Sequence, residues 1–424
     1  VINYLDRGFD SLNHQILIFT KPTITLGGNI TLTEPIKHYD NAQSFLDLSY
    51  GINYSKNSNS VVNMRKNPIG ELLNIDSLTS QFRTITIIHN LGLTYRYTSQ
   101  RFNYNIGFNA RPTNIKNTNT SNASGNSISH LSISPTLQMN FIGSNRKSLN
   151  IKYESSSLLP NLEQLQPLSN YTNINNIVVG NPKLKSAINH SFNMTYIKGG
   201  NNGNSKNYSV NSSIIQNQIV DNTILAADSS NTVKQVTRYV NTSGNYSFSG
   251  NYRWSFYLRQ MKYNLEIQGA YNFAHQVSYT NNMKNFGKIC GFFQSASFKA
   301  HLSRLQTSSG IYYTNRINSF SLSPKQTSIQ SWNFNANLGV NIIESLTAHI
   351  EYLKTVNIGY YKTGNNPVII NDNIEKRLFK SQHVLLKLEV NDLLNQGNIL
   401  SRTISNNSTT ESISNKVTRY FYLR

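Results

Sequence analysis

Catalysis and metal binding need reactive side chains that converge, and this sequence keeps its reactive residues apart. Its nine histidines, His14, His38, His89, His130, His190, His275, His301, His349 and His383, fall in separate segments. None is paired at the short spacing that ligates a metal. His349 and His383 occupy polar faces of alternating stretches, where a lumen role is open and a solvated imidazole is the plainer reading. Cys290 is the sole cysteine, so an intrachain disulfide and a cysteine-based zinc site are both excluded. Within residues 289–293 it reads as a buried structural thiol rather than a nucleophile. Glu154 and Glu163 flank a long polar segment, but sequence does not place them as an acid–base pair. Serine is plentiful, yet no Gly-x-Ser-x-Gly elbow, P-loop or dinucleotide fingerprint occurs. Triplets such as Asn29-Ile30-Thr31 follow from the abundance of Asn and Ser. The expectation is that this is not an enzyme: no catalytic residue, no cofactor, no metal ligand, and substrate-binding residues left unassigned.

The balance of charge limits the partners. Lys and Arg total 39 against 19 Asp and Glu, a formal net charge of +20. The cations are scattered, with Arg146-Lys147 the densest group, so nucleic acid is not an expected partner. Anionic lipid headgroups or an anion-friendly lumen account for the same excess. Charged residues make up only 14% of the chain, where about a quarter is usual for a soluble protein. Asn and Ser fill the gap.

The elements that would position these residues are strands. Trp332, Phe334, Ala336, Leu338, Val340 and Ile342 alternate with Asn333, Asn335, Asn337, Gly339 and Asn341. After residues 343–345 the alternation resumes, with Leu346, Ala348, Ile350 and Tyr352 against Thr347, His349 and Glu351. Successive strand side chains face opposite ways, so this is an antiparallel hairpin with one apolar and one wet face. Phe102, Tyr104, Ile106, Phe108 and Ala110 repeat the pattern against Asn103, Asn105, Gly107 and Asn109. Leu131, Ile133, Leu137, Met139 and Phe141 share a face with Pro135, which should mark a bulge or strand end because it cannot donate to the ladder. Val384, Leu386, Leu388 and Val390 face away from Leu385, Lys387, Glu389 and Asn391. With residues 16–20, 23–33, 45–54, 60–64, 82–98, 148–154, 191–197, 208–223, 233–256, 263–279, 288–302 and 306–316, this makes roughly eighteen or nineteen strands and no amphipathic helix.

No run approaches the ~20 apolar residues of a membrane-spanning helix, which leaves a transmembrane barrel open. At 424 residues the chain suits several soluble domains or one large barrel. Short connections at 99–101, 143–147, 259–262, 303–305 and 343–345 largely alternate with longer polar ones at 111–127, 155–187, 281–287, 318–328 and 362–376. Tight turns on one side and long loops on the other are a barrel's rhythm. Many segments also reach the 9–11 residues that cross a bilayer at a tilt. Tyr95, Tyr97, Phe102, Tyr104, Tyr312, Tyr313, Tyr360 and Tyr361 lie near proposed strand ends. Interfacial girdles would be built there, whereas a soluble sandwich would bury the same rings.

Three motifs carry a resemblance. A tyrosine-bearing strand ending Ile151-Lys152-Tyr153-Glu154 runs into Leu159-Pro160-Asn161-Leu162-Glu163-Gln164-Leu165-Gln166-Pro167. Then comes Val179-Gly180-Asn181-Pro182-Lys183-Leu184-Lys185. Near the end stand Val390-Asn391-Asp392-Leu393-Leu394-Asn395-Gln396 and the closing Thr418-Arg419-Tyr420-Phe421-Tyr422-Leu423. In this order they resemble TonB-dependent receptors, specifically the outer-membrane β-barrel branch common in Bacteroidetes, over nearly the whole chain. The chain departs from that pattern at Ser186-Ala187, where Pro-Glu is usual, and in stopping at Arg424 rather than a terminal aromatic.

The resemblance implies an all-β fold: a large antiparallel transmembrane β-barrel in the outer membrane of a Gram-negative bacterium. Residues 1–424 would be one barrel domain, the later strands of a barrel of about 22, with its last strand cut short. The sequence begins Val1-Ile2-Asn3-Tyr4 without signal peptide, TonB box or plug, so a fragment is expected. The implied function is TonB-dependent uptake of a scarce solute such as a metal chelate, vitamin, glycan or peptide. Capture would fall to the long loops at 155–187 and 362–376. Implied partners are outer-membrane lipid, lipopolysaccharide and, through the absent plug region, the TonB complex. The alternative is a plugless outer-membrane or surface β-rich adhesin.

Overall fold

The computed structural model describes residues 2–6, 9–13, 15–39, 41–66, 69–74, 80–119, 125–144, 146–165, 169–170, 176–200, 202–227, 233–259, 261–359, 366–379, 384–397, 399–404, 409–414 and 418–424. The described chain is almost entirely strand, and its ladder order is that of a closed barrel. The all-β antiparallel barrel is therefore the fold. One parallel pairing interrupts the rule, Asn176–Val179 beside Gln235–Arg238. The chain divides into two compact units, residues 1–138, 154–188 and 221–241 in one and 139–153, 189–220 and 242–424 in the other.

In the second unit, the strand Ser323–Ile343 pairs with Leu305–Phe320 on one side and Leu346–Ile358 on the other. Its register aligns like with like. Leu338 meets Thr307 and Ile350, and Trp332 meets Tyr313 and Val356. On the opposite face Asn337 meets Ser308 and Glu351. The apolar face is uncovered: Leu338 keeps 41% and Ile350 43% of their accessible surface. Whole rows of exposed aliphatic side chains are unstable against water and stable against acyl chains, so this face is the lipid face.

The lipid face has a defined height. Going away from the short turns, its apolar run ends at His275, Lys288, Asn315, Gln330, Lys354 and Asp372 on successive strands from Tyr263–Thr280 to Val368–Leu378. The boundary slips from strand to strand. Gln330 pairs with Ile358 rather than Lys354, and Lys354 pairs with Val368 rather than Asp372. A level membrane surface crossing tilted strands produces such a staircase. Gln294 is an amide within the run, and its Nε2 donates to the Tyr252 hydroxyl at 2.5 Å. Rings gather just below the boundary: Tyr313 and Trp332 lie 4.4 Å apart and Phe292 and Tyr313 6.0 Å apart.

In the first unit the long strand Ala42–Lys66 lies between Thr23–Tyr39 and Ser80–Ser99, and Phe102–Asn119 follows. Leu46, Leu48, Tyr50 and Ile52 line its lipid face. Tyr97, Phe102 and Tyr104 cluster at the short turn, with ring centroids 5.1 and 5.4 Å apart, as a girdle requires.

Several expectations fail for one reason. The stretch 281–287 is not a long connection: strands Tyr263–Thr280 and Met283–His301 meet at Asn281-Asn282, whose φ angles of 51° and 62° form a two-residue hairpin turn. Ser321-Leu322 likewise joins Leu305–Phe320 to Ser323–Ile343. Strands Phe102–Asn119 and Gly125–Gly143 fill most of 111–127, leaving 120–124 outside the described residues. Over 281–287 and 318–328 the strands continue with mostly polar side chains; the apolar alternation fades while backbone pairing persists. The described residues accordingly form 27 strands, several of them short. Pro135 lies within the strand Gly125–Gly143 and not at its end, and the register shifts at Pro35–Lys37. Cys290 is half-buried on the lipid face beside Phe273 and Ile317 rather than in a core. Tyr312 points to the polar face, paired with Asn333, and Tyr360 and Tyr361 fall outside the described residues.

These two faces should differ sharply in tolerance. Leu338→Arg, near the middle of the apolar run, is expected to cost about 2–4 kcal/mol of folding free energy in lipid vesicles. Asn335→Arg on the other face should cost far less, measured by denaturant titration in the same vesicles. Equal costs would mean that the faces have been assigned wrongly.

Candidate functional site

The polar face of the second unit brings its reactive residues into rows. One row runs His301, Gln306, Gly339, His349 and Asn373 across five strands; the next runs Lys299, Ser308, Asn337, Glu351 and Asn371. These rows lie beside the short turns at 302–304 and 343–345. Between them opens a cleft of about 340 Å³ whose lining includes Lys299, His301, Gln306, His349 and Glu351. Asn371 Nδ2 donates to Glu351 Oε2 at 2.9 Å.

Several charges on this face are met locally. Arg253 donates from Nε and Nη2 to Gln268 Oε1 at 3.2 and 3.0 Å and lies 3.7 Å from Glu266 Oε1. Lys387 Nζ bridges Glu375 Oε1 at 3.4 Å and Glu389 Oε2 at 3.2 Å. In the first unit Asp47 accepts from Thr33 at 2.7 Å and from Arg96 Nε at 3.2 Å. Most of what remains is amide and hydroxyl. At Gly291 the cross-strand Asn272 amide fills the place a Cβ would take, and at Gly310 the Asn335 amide crowds the same position. Glycine leaves room there for the amide to lie against the next strand. Such a surface hydrogen-bonds water and polar solutes. Among the described residues no group of three or more His, Cys, Asp and Glu is placed to hold a metal.

The motif segments form tight junctions at the opposite end from the short turns. Asn161 Oδ1 accepts from Gln164 N at 2.8 Å and Gln164 Oε1 accepts from Asn161 N at 2.9 Å. This reciprocal cap starts the four-residue helix Leu162–Leu165. Asn181 N then donates to Gln164 O at 2.6 Å, and Asn181 Nδ2 to Tyr239 O at 3.0 Å. Leu165, Leu184 and Ala187 are buried here, each under 5% exposed. The second junction centres on Asp392, itself 4% exposed. Its carboxylate accepts from Gln396 N at 3.0 Å and Gly397 N at 2.7 Å, and its own N–H donates to Asn371 Oδ1 at 2.9 Å. Asp392 and Asn395 have φ angles of 45° and 54°, a left-handed geometry that Asp and Asn tolerate best after glycine.

The model of the outer membrane protein beta-barrel family matches residues 25–424. This chain belongs to that family. It is a barrel of the outer membrane of Gram-negative bacteria. No curated protein matches it. Similar solved structures include the siderophore receptor PirA from Pseudomonas aeruginosa, 10% identical over 81% of this chain and 69% of that one, with a TM-score of 0.38. Another is a mutant of the ferric enterobactin receptor PfeA from the same organism, 8% identical over 92% of this chain and 75% of that one, with a TM-score of 0.30.

Of the residues singled out from sequence, His349 lines the cleft of this family barrel, while His383 lies outside the described residues. The side chain of Glu163 is also outside them, so no pair with Glu154 is defined. The loop expected at 362–376 is largely strand, Val368–Leu378. Lys299, His301, Gln306 and Glu351 were not foreseen as neighbours. Their signal was present, because folding the polar positions across the short turns at 303–305 and 343–345 stacks these rows.

Burial pushes the Asp392 carboxyl up, but hydrogen bonds from Thr418, Gly397 and Gln396 and the nearby Arg419 charge outweigh it and hold the group below its ordinary value. A depressed folded value stabilises the fold above the ordinary 3.8 and loses that contribution as pH falls through the folded value. Asp392→Ala is expected to cost about 1–3 kcal/mol at neutral pH, with the difference from wild type narrowing below that range in micellar unfolding titrations. A cost that does not change with pH would show that the charge plays no part.

Proposed function

We propose that this barrel is the membrane-spanning part of a TonB-dependent receptor that imports a scarce polar solute. The observation that carries the reading is the trio of motif segments: they occur in receptor order, the first two are hydrogen-bonded junctions and the last is a strand paired in the ladder. Connections at the motif end would capture the solute. The amide-rich face, with several of its charges paired to neighbours, would then hydrogen-bond a hydrated molecule as it passes. Energy would come from the inner-membrane complex acting at the short-turn end through a plug. The role is transport and not catalysis.

The test compares culture media after growth of wild-type cells, cells lacking this gene and cells lacking TonB. One solute is expected to remain unconsumed in both mutants and to disappear with the wild type. A solute that depends on this gene but is consumed normally without TonB would overturn the reading. So would media from the gene-deleted strain that match wild type while its surface adhesion is lost.

A further inference from the structure

The outward basic side chains of four strands in the second unit gather at one end. On the four strands Asn245–Leu258, Tyr263–Thr280, Met283–His301 and Leu305–Phe320 they are His275, Lys284 and Lys288. All three stand where the apolar run stops, at the end away from the short turns. His275 and Lys288 are register partners, and Lys288 also faces Ser319. Lys284 and Lys288 are both exposed, with Phe286 between them on the same face.

An aromatic bed holds the group. The His275 ring stacks on Tyr246 at 5.0 Å with an interplanar angle of 13° and lies 5.9 Å from Phe286. Lys284 Nζ sits 5.5 Å from the Phe286 ring centre. His275 Nδ1 bonds the Gly244 carbonyl at 2.7 Å, which fixes the ring and turns its other nitrogen away from that carbonyl. No carboxylate competes on this face. The one acidic residue of these four strands, Glu266, is on the polar face with Ser255 and Arg253.

We propose that Lys284 and Lys288, beside the ring bed of Tyr246, His275 and Phe286, form a binding site for the phosphate groups of an outer-leaflet lipid. A free anion would need no apolar floor, whereas Phe273, Cys290 and Phe292 continue below the cations as a surface for acyl chains. Aromatic rings at the boundary, cations one step above them and the absence of carboxylates match an anionic headgroup joined to hydrocarbon. The site does not depend on what the barrel transports.

The experiment uses the delipidated chain in non-ionic detergent, with bound lipid counted by native mass spectrometry. Bisphosphorylated lipid A is compared with the same lipid stripped of phosphate, and with inorganic phosphate as competitor. The phosphorylated form should bind about thirtyfold more tightly, the effect expected of two lysines at an anionic surface. Lys284→Gln with Lys288→Gln should abolish that preference, and Lys284→Arg with Lys288→Arg should keep it. Lys206→Gln, an outward lysine near a short turn, should not alter it. Heat-modifiable migration confirms that each variant is folded. Equal binding of both lipids, a preference that survives the Gln pair, or displacement by equimolar inorganic phosphate would each overturn the proposal.

Discussion

Hydrocarbon offers a peptide group no hydrogen-bond partner, and the rest of this structure follows from that. Every strand crossing lipid must be paired along both edges, so the chain runs as hairpin after hairpin in a ladder that closes. Pairing of that kind dictates register, and register decides which side chains become neighbours. A one-residue slip would turn Asn337 toward lipid and Leu338 toward water. The alternating pattern around Trp332 is the sequence's answer to that danger.

The same constraint explains the composition. A soluble protein covers its outside with charge, but here the outside is Leu, Ile, Phe and Tyr, and water meets the other face. That face needs polar groups short enough to pack over neighbouring strands, and Asn and Ser serve. Where Asn272 and Asn335 fold across the sheet, the facing glycines leave them room. Some charged groups on this face come as local sets, such as Lys387 with Glu375 and Glu389.

Two junctions away from the short turns are structured too. The Asn161–Gln164 cap and the Asp392 carboxylate satisfy backbone donors that a loop would otherwise leave to water. Buried Leu165 and Leu184 give the first junction a small apolar anchor. Such fixed bases lower the entropy cost of ordering the chain that they carry.

Sequence alone determined the strand class, the two faces and the places of several turns, because a period of two survives wherever one face meets lipid. It also located the motif junctions, whose residue types carry their own turn chemistry. It misread 281–287 and 318–328, since the side chains there are mostly polar and the period fades though the ladder does not. Only the tertiary structure placed His301 in one row with His349, showed the boundary stepping from His275 to Asp372, and put Cys290 on the lipid face. Those facts depend on register between strands, which is set by closure of the whole ladder and not by any one segment's pattern.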